Sequence, residues 1–225
     1  MIDLINITFK DFLNPEFYIR NGGLLLILFI VFAETGLLVG FFLPGDSLLF
    51  VAGIYSNKLI KSFVPGGFGS DFIDLIILIV LISAAAVLGS IVGYWFGKKS
   101  GPVLFERKDT FFFKRKHLLQ AKVFFDKHGG LAILFARFFP IIRTFSTVVA
   151  GIVQMEKKKF MLYNLIGAAT WSFTLIIAGH YLDMFFIKEY GIDLKNHLEI
   201  IIIFIVVVTT IPVLYKFISS KRLIT

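Results

Sequence analysis

Arg137 and Arg143 stand in a stretch, Leu134 to Gly151, that is otherwise apolar enough to enter a bilayer, and Pro140 lies between them. A guanidinium at mid-membrane depth costs at least a few kcal/mol even on permissive scales, about 2.5–3.5. Pro140 removes a backbone donor and clashes with the preceding turn, so a straight helix through it is not expected. Cations beside a broken backbone fit a place where irregular chain lines a protein-enclosed, hydrated cavity. Guanidinium groups offer forked donors that match phosphate oxygens and stay protonated there, and a half-helix starting near Pro140 would add backbone donors. Arg137 and Arg143 therefore mark the working site, with donors suited to an oxyanion.

A second stretch, Phe32 to Gly53, has the same layout with the opposite charge. Phe32-Ala33-Glu34 mirrors Phe135-Ala136-Arg137, Pro44-Gly45 answers Pro140, and Ala52-Gly53 answers Ala150-Gly151. Asp46 follows the break as Arg143 follows Pro140. Paired hydrophobic segments interrupted by Gly and Pro point to a transporter binding site. A carboxylate in a poorly solvated cavity has its pKa raised, and a nearby arginine lowers it, so Glu34 and Asp46 are candidate proton carriers. Two other roles stay open. The carboxylates can pair with the arginines and hold the two segments together, and Asp46 can simply cap the half-helix after Pro44-Gly45.

The elements that must position these residues read as membrane helices. Hydrophobic residues make up 57% of the 225-residue chain and charged residues 17%, with a mean hydropathy of +0.86, values that a soluble domain of this size rarely reaches. The formal charge of +8 has no stacking aromatic face on a soluble module to go with it, which argues for positive-inside bias and against nucleic acid. The chain has no cysteine, which excludes disulfides and thiolate chemistry. Residues 1–14 lack the layout of a cleaved signal peptide and read instead as a short interfacial amphipathic helix ended by Asn14-Pro15.

Leu75 to Phe96 reads as a spanning helix with a small-residue face, Ser83 to Ala86, Gly89 and Gly93. Residues 57–71 read as a loop, and Gly101-Pro102 as the close of the first spanning region. A basic segment with interleaved phenylalanines covers Lys98 to Lys127. Further helices are expected from about Phe160 to Tyr181 and from about Leu198 to Tyr215. If residues 129–155 dip in and return, the cations at 98–127, Lys157 to Lys159, and Lys216, Lys221 and Arg222 all lie on the cytoplasmic side, with 183–197 outside. A single crossing would put the last two clusters outside, so the re-entrant reading is adopted.

These residues resemble the bacterial DedA family, whose domain is also called SNARE-associated or VTT. The resemblance rests on Phe32-Ala33-Glu34, Pro44-Gly45-Asp46, Ala52-Gly53, Arg137-Phe138-Phe139-Pro140, Arg143, Ala150-Gly151 and Asn164 to Trp171, in order over roughly residues 15–185. It implies an all-α polytopic membrane protein with two inverted re-entrant hairpins, about 32–56 and about 129–155, facing each other inside a helical bundle. Residues 186–225 would then supply an external loop, a last transmembrane helix and a basic cytoplasmic tail.

The resemblance further implies a flippase or scramblase in the cytoplasmic membrane that moves undecaprenyl phosphate or a phospholipid, with proton-motive-force dependence and a role in envelope homeostasis. Its implied functional groups are the acidic pair Glu34 and Asp46 and the basic pair Arg137 and Arg143. Two departures stand out: Ser90 follows Gly89 where many relatives carry a carboxylate, and Asp183 stands where a glycine often closes the second helix. Self-association as a homo-oligomer is left open.

Catalysis and cofactors are not expected. His117, His128, His180 and His197 are scattered without acidic or Cys partners at ligand spacing, so no metal site is expected. Ser146 and Thr147 lack a base. Trp171 and Asn164 read as packing and interhelical hydrogen bonding. The competing functions are a non-transporting structural or assembly factor and, further off, an enzyme acting on lipid phosphates.

Overall fold

The computed structural model describes residues 15–37, 45–106 and 115–198, together with 200, 201, 203–205 and 207. The expected interfacial helix 1–14, Pro44 and the tail beyond 207 lie outside these residues. Every regular element among the described residues is helical: α1 (Pro15–Gly36), α2 (Gly45–Ile54), α3 (Ser56–Phe63), α4 (Asp71–Glu106), α5 (Arg115–His128), α6 (Leu131–Ala136), α7 (Pro140–Ile152) and α8 (Lys157–Tyr190), then a 3-10 turn (Leu194–His197). α4 from Asp71 to Pro102 and all of α8 are long and apolar enough to cross a bilayer. At 1.5 Å per residue each exceeds the ~30 Å hydrocarbon thickness.

Three boundaries differ from the sequence expectation. Residues 57–63, expected in a loop, belong to α3, whose Leu59 and Ile60 are buried while Lys61 is exposed. The turn begins only at Val64, and Asp74 fixes it by accepting a hydrogen bond from the Phe68 amide at 2.8 Å. α4 runs through Gly101-Pro102 to Glu106. Such a proline is tolerated where neighbouring groups take over the freed backbone. Asp46 sits inside the first turn of α2 rather than at its cap, where its charge complements the helix dipole.

The chain divides into two compact units. One comprises residues 1–29, 43–82 and 172–225, the other 30–42 and 83–171. In the first, α2 is buried along nearly its whole length against the second half of α8. A Cβ on Gly53 would collide with the Ile176 carbonyl, and one on Gly179 with the Phe50 carbonyl. Ser56 Oγ and His180 Nδ1 lie 3.1 Å apart one turn further on. Lys195 closes this end of α8 on Asp183 at 2.9 Å.

In the second unit, α7 packs on the second half of α4 through the same device. A Cβ on Gly151 would collide with the Tyr94 carbonyl, and one on Gly97 with the Val148 carbonyl. The contact Phe50–Gly53 on Ile176–Gly179 thus has a counterpart in Val148–Gly151 on Tyr94–Gly97. Small residues let helix backbones approach closely, and that supplies packing where lipid removes the hydrophobic drive. Around the second contact Tyr94 stacks on Phe160 at 4.4 Å between centroids, and its hydroxyl donates to the Met155 carbonyl at 2.5 Å. Phe125, Ile133, Ala150 and Val153 complete that core.

Candidate functional site

The site is built in the second unit from the end of α1, the middle of α4, the break between α6 and α7, and the first half of α8. α6 stops at Ala136 and α7 starts at Pro140 in its first turn. Phe139 between them is extended, as the residue before a proline prefers to be. The break holds Arg137, and Arg143 lies one turn into α7.

Both arginines point inward. Arg137 is 3% exposed and Arg143 2%, whereas Phe138, Ile142 and Phe145 beside them are exposed. α7 is therefore inside-out by the standards of a water-soluble helix. Its buried face carries Arg143, Thr144, Ser146 and Thr147, and its exposed face carries apolar side chains. Such a helix matches surroundings of lipid outside and polar protein inside.

Arg143 pairs with Glu34 of α1, itself buried, through Nη2 and Oε1. The Trp171 ring lies over the same guanidinium, 4.4 Å from its central carbon. Thr144 Oγ1 donates to the Glu34 carbonyl at 3.0 Å, satisfying one of the carbonyls that the end of α1 leaves open. Thr35 Oγ1 lies 2.8 Å from the Val31 carbonyl of its own helix and 3.2 Å from the Ala86 carbonyl of α4, which places the two helices in contact at this turn.

Arg137 has different company. Its Nη2 donates to Ser90 Oγ on α4 at 2.8 Å and to Asn164 Oδ1 on α8 at 2.5 Å. Its Nε and Nη1 are buried and have no hydrogen-bond partner among the described residues. Its stem packs on Gly167, where a Cβ would lie 2.9 Å from Arg137 Cδ. Among the described residues the guanidinium is held by neutral acceptors, with donors to spare.

The second unit thus brings Glu34, Arg137 and Arg143 together. Asp46 and Gly45 belong to the first unit, where Asp46 opens α2. Asn164 and Trp171, expected to serve interhelical hydrogen bonding and packing, do so and each touches an arginine: Asn164 bonds Val87 of α4 and Arg137, and the buried Trp171 lies over Arg143. The available signal was their spacing: seven residues apart on one helix, they share a face.

A model of the VTT domain matches residues 43–181. The protein named DedA of Escherichia coli K12 is 35% identical over 88% of this chain and 83% of its own length. The chain belongs to the DedA family. Another similar protein is the membrane protein ML0287 of Mycobacterium leprae, 34% identical over 90% of this chain and 82% of its own length. A more distant one, the inner membrane protein YghB of Escherichia coli K12, is 29% identical over 87% of this chain and 86% of its own. No solved structure matches the chain. This DedA-family chain is a bacterial membrane protein, and its charged residues Glu34, Arg137 and Arg143 lie buried together around the α6–α7 break.

Proposed function

We propose that this DedA-family protein is a flippase or scramblase that moves an anionic lipid, undecaprenyl phosphate or a phospholipid, across the cytoplasmic membrane in support of envelope homeostasis. The observation that carries the reading is Arg137. It is buried, its acceptors Ser90 and Asn164 are neutral, and its Nε and Nη1 have no partner among the described residues. Leaving a buried charged donor unmade costs more than an ordinary hydrogen bond, ~1–3 kcal/mol or above, so such donors call for an anionic ligand. In this reading residues 32–56 and 129–155 are re-entrant hairpins of a multi-pass inner-membrane protein, Arg137 takes the headgroup phosphate, and Arg143 and Glu34 are a coupled pair. A proton arriving at Glu34 would release Arg143 to the phosphate, which links lipid movement to the proton gradient.

The protein moves the lipid intact in this reading, so purified protein should release no phosphate from polyprenyl or phosphatidyl substrates. A second reading, a bracing or assembly factor without transport, draws on the Glu34–Arg143 pair, which suffices to hold α1 to α7. Reconstitution in vesicles with a panel of headgroups, with and without a pH gradient, separates the two. Transport should select phosphate-bearing headgroups, and Arg137→Lys should lose most of it while still folding, because the ammonium lacks the planar fork. Full transport by Arg137→Lys sinks the phosphate site, and absence of movement for every headgroup favours the brace.

A further inference from the structure

A guanidinium grips an oxyanion with two parallel N–H bonds along either of two edges, Nε with Nη2 or Nη1 with Nη2. Both edges share Nη2. In Arg137 both Nη2 protons are engaged, one by Ser90 Oγ at 2.8 Å and one by Asn164 Oδ1 at 2.5 Å. Each edge is therefore half occupied, and its other nitrogen, Nε or Nη1, has no partner among the described residues. A phosphate cannot take a forked grip on Arg137 while both acceptors hold.

We propose that Ser90 Oγ and Asn164 Oδ1 are internal stand-ins for phosphate oxygens. They set the plane of the Arg137 guanidinium in the empty protein, and one of them yields when an anionic headgroup docks. This rests on the reading of Arg137 as the phosphate site. Ser90 is the acceptor built to yield. Its hydroxyl donates to the Ala86 carbonyl at 2.8 Å, one turn back in the same helix, and that carbonyl keeps its backbone partner in α4 when the serine turns away. The Asn164 carbonyl oxygen can only accept, and its amide is engaged with the Val87 carbonyl at 3.5 Å. The neutrality of position 90 is then what keeps the site open, because a carboxylate there would form a buried ion pair with Arg137 and compete with the ligand on equal terms.

The sign of the affinity change tests the idea. Removing a residue that merely orients Arg137 should weaken binding; removing a stand-in should strengthen it. The probes are dioctanoyl phosphatidate and, separately, inorganic phosphate, titrated onto purified protein in detergent. Ser90→Ala and Asn164→Ala should each bind phosphatidate about ten- to a hundredfold more tightly, the size of one displaced hydrogen bond to a charged group. Ser90→Asp should bind it about a hundredfold more weakly.

A parallel gain for inorganic phosphate upholds the stand-ins and makes the phosphate group itself the ligand. A gain for phosphatidate alone upholds them and makes the lipid the ligand. Thermal unfolding identifies which alanine variant is folded, and one suffices. Unchanged or weaker phosphatidate binding in the folded alanine variants overturns the stand-in role. Arg137 still reads as the phosphate site in that case if Arg137→Lys loses the wild-type binding. Equal binding by wild type and Arg137→Lys removes both.

Discussion

Replacing Glu34 by Gln tests how much of the site is held by charge. Glu34 and Arg143 are buried to 3% and 2% exposure, they meet directly, and they lie 109 residues apart in the chain. Removing one partner of a buried ion pair costs about 3–5 kcal/mol, most of it from stranding the other charge. Two contacts soften the loss here. Gln keeps an oxygen that can accept from Arg143, a bond to a charged donor of ~1.5 kcal/mol. The Trp171 ring continues to face the guanidinium, a contact of ~2 kcal/mol when desolvated. The expected cost of Glu34→Gln is therefore at the low end, about 2–3 kcal/mol. Arg143→Gln should cost more, because it removes the ring contact together with the pair. The double variant strands no charge and should recover most of the loss, with a coupling energy of at least about 2 kcal/mol. The measurement is equilibrium unfolding in detergent micelles of wild type, both single variants and the double. A loss below ~0.5 kcal/mol for Glu34→Gln, or additive losses in the double variant, would refute the pair as the tie between α1 and α7.

Three further outcomes are expected. Gly151→Leu and Gly179→Leu should each destabilise by at least about 1–3 kcal/mol, because the added side chain meets a backbone carbonyl that cannot rotate away, whereas Gly191→Ala, with nothing near its Cβ position, should show only the strain of its left-handed backbone. With no native cysteine, single cysteines at 158 and 190 report sidedness: the first should react only with reagents that reach the cytoplasm and the second from outside, and external labelling at 158 would show that residues 129–155 cross the membrane. At Lys195 burial works to lower the pKa, but the hydrogen bond and charge of Asp183, joined by Asp193, raise it above the ordinary lysine value. The protonated form is thus the one the fold stabilises, so unfolding scans should show this contribution intact up to about pH 10 and lost above it, and Lys195→Gln should flatten that alkaline decline.

The ionisable residues of the site were legible because charges are conspicuous in apolar sequence. Glu34, Arg137 and Arg143 could not have been placed against lipid, so their burial followed from the cost of exposing them there. Pro140 was legible for a similar reason: it leaves few backbone choices, and α7 starts on it. The partnerships were not legible. Nothing local distinguishes a Glu34 that meets Arg137 from one that meets Arg143, since the choice depends on helix packing between segments a hundred residues apart. Ser90 and Asn164 were hidden because uncharged polar residues on a small-residue face look the same whether they bond a neighbouring helix or an arginine. α3 was masked by the Pro65-Gly66-Gly67 turn directly after it. The continuation of α4 past Pro102 depends on contacts that composition does not encode.

The two glycine contacts have a consequence for how such a chain could have arisen. The next long helix after α2 in sequence is α4, yet α2 packs on α8; the next after α7 is α8, yet α7 packs on α4. Each half of the chain carries a glycine-faced short helix whose partner surface lies in the other half. A half-length chain with one short helix and one long one would leave both surfaces bare, and a second copy could supply what it lacks. Gene duplication would then have joined two exchanging subunits into one molecule.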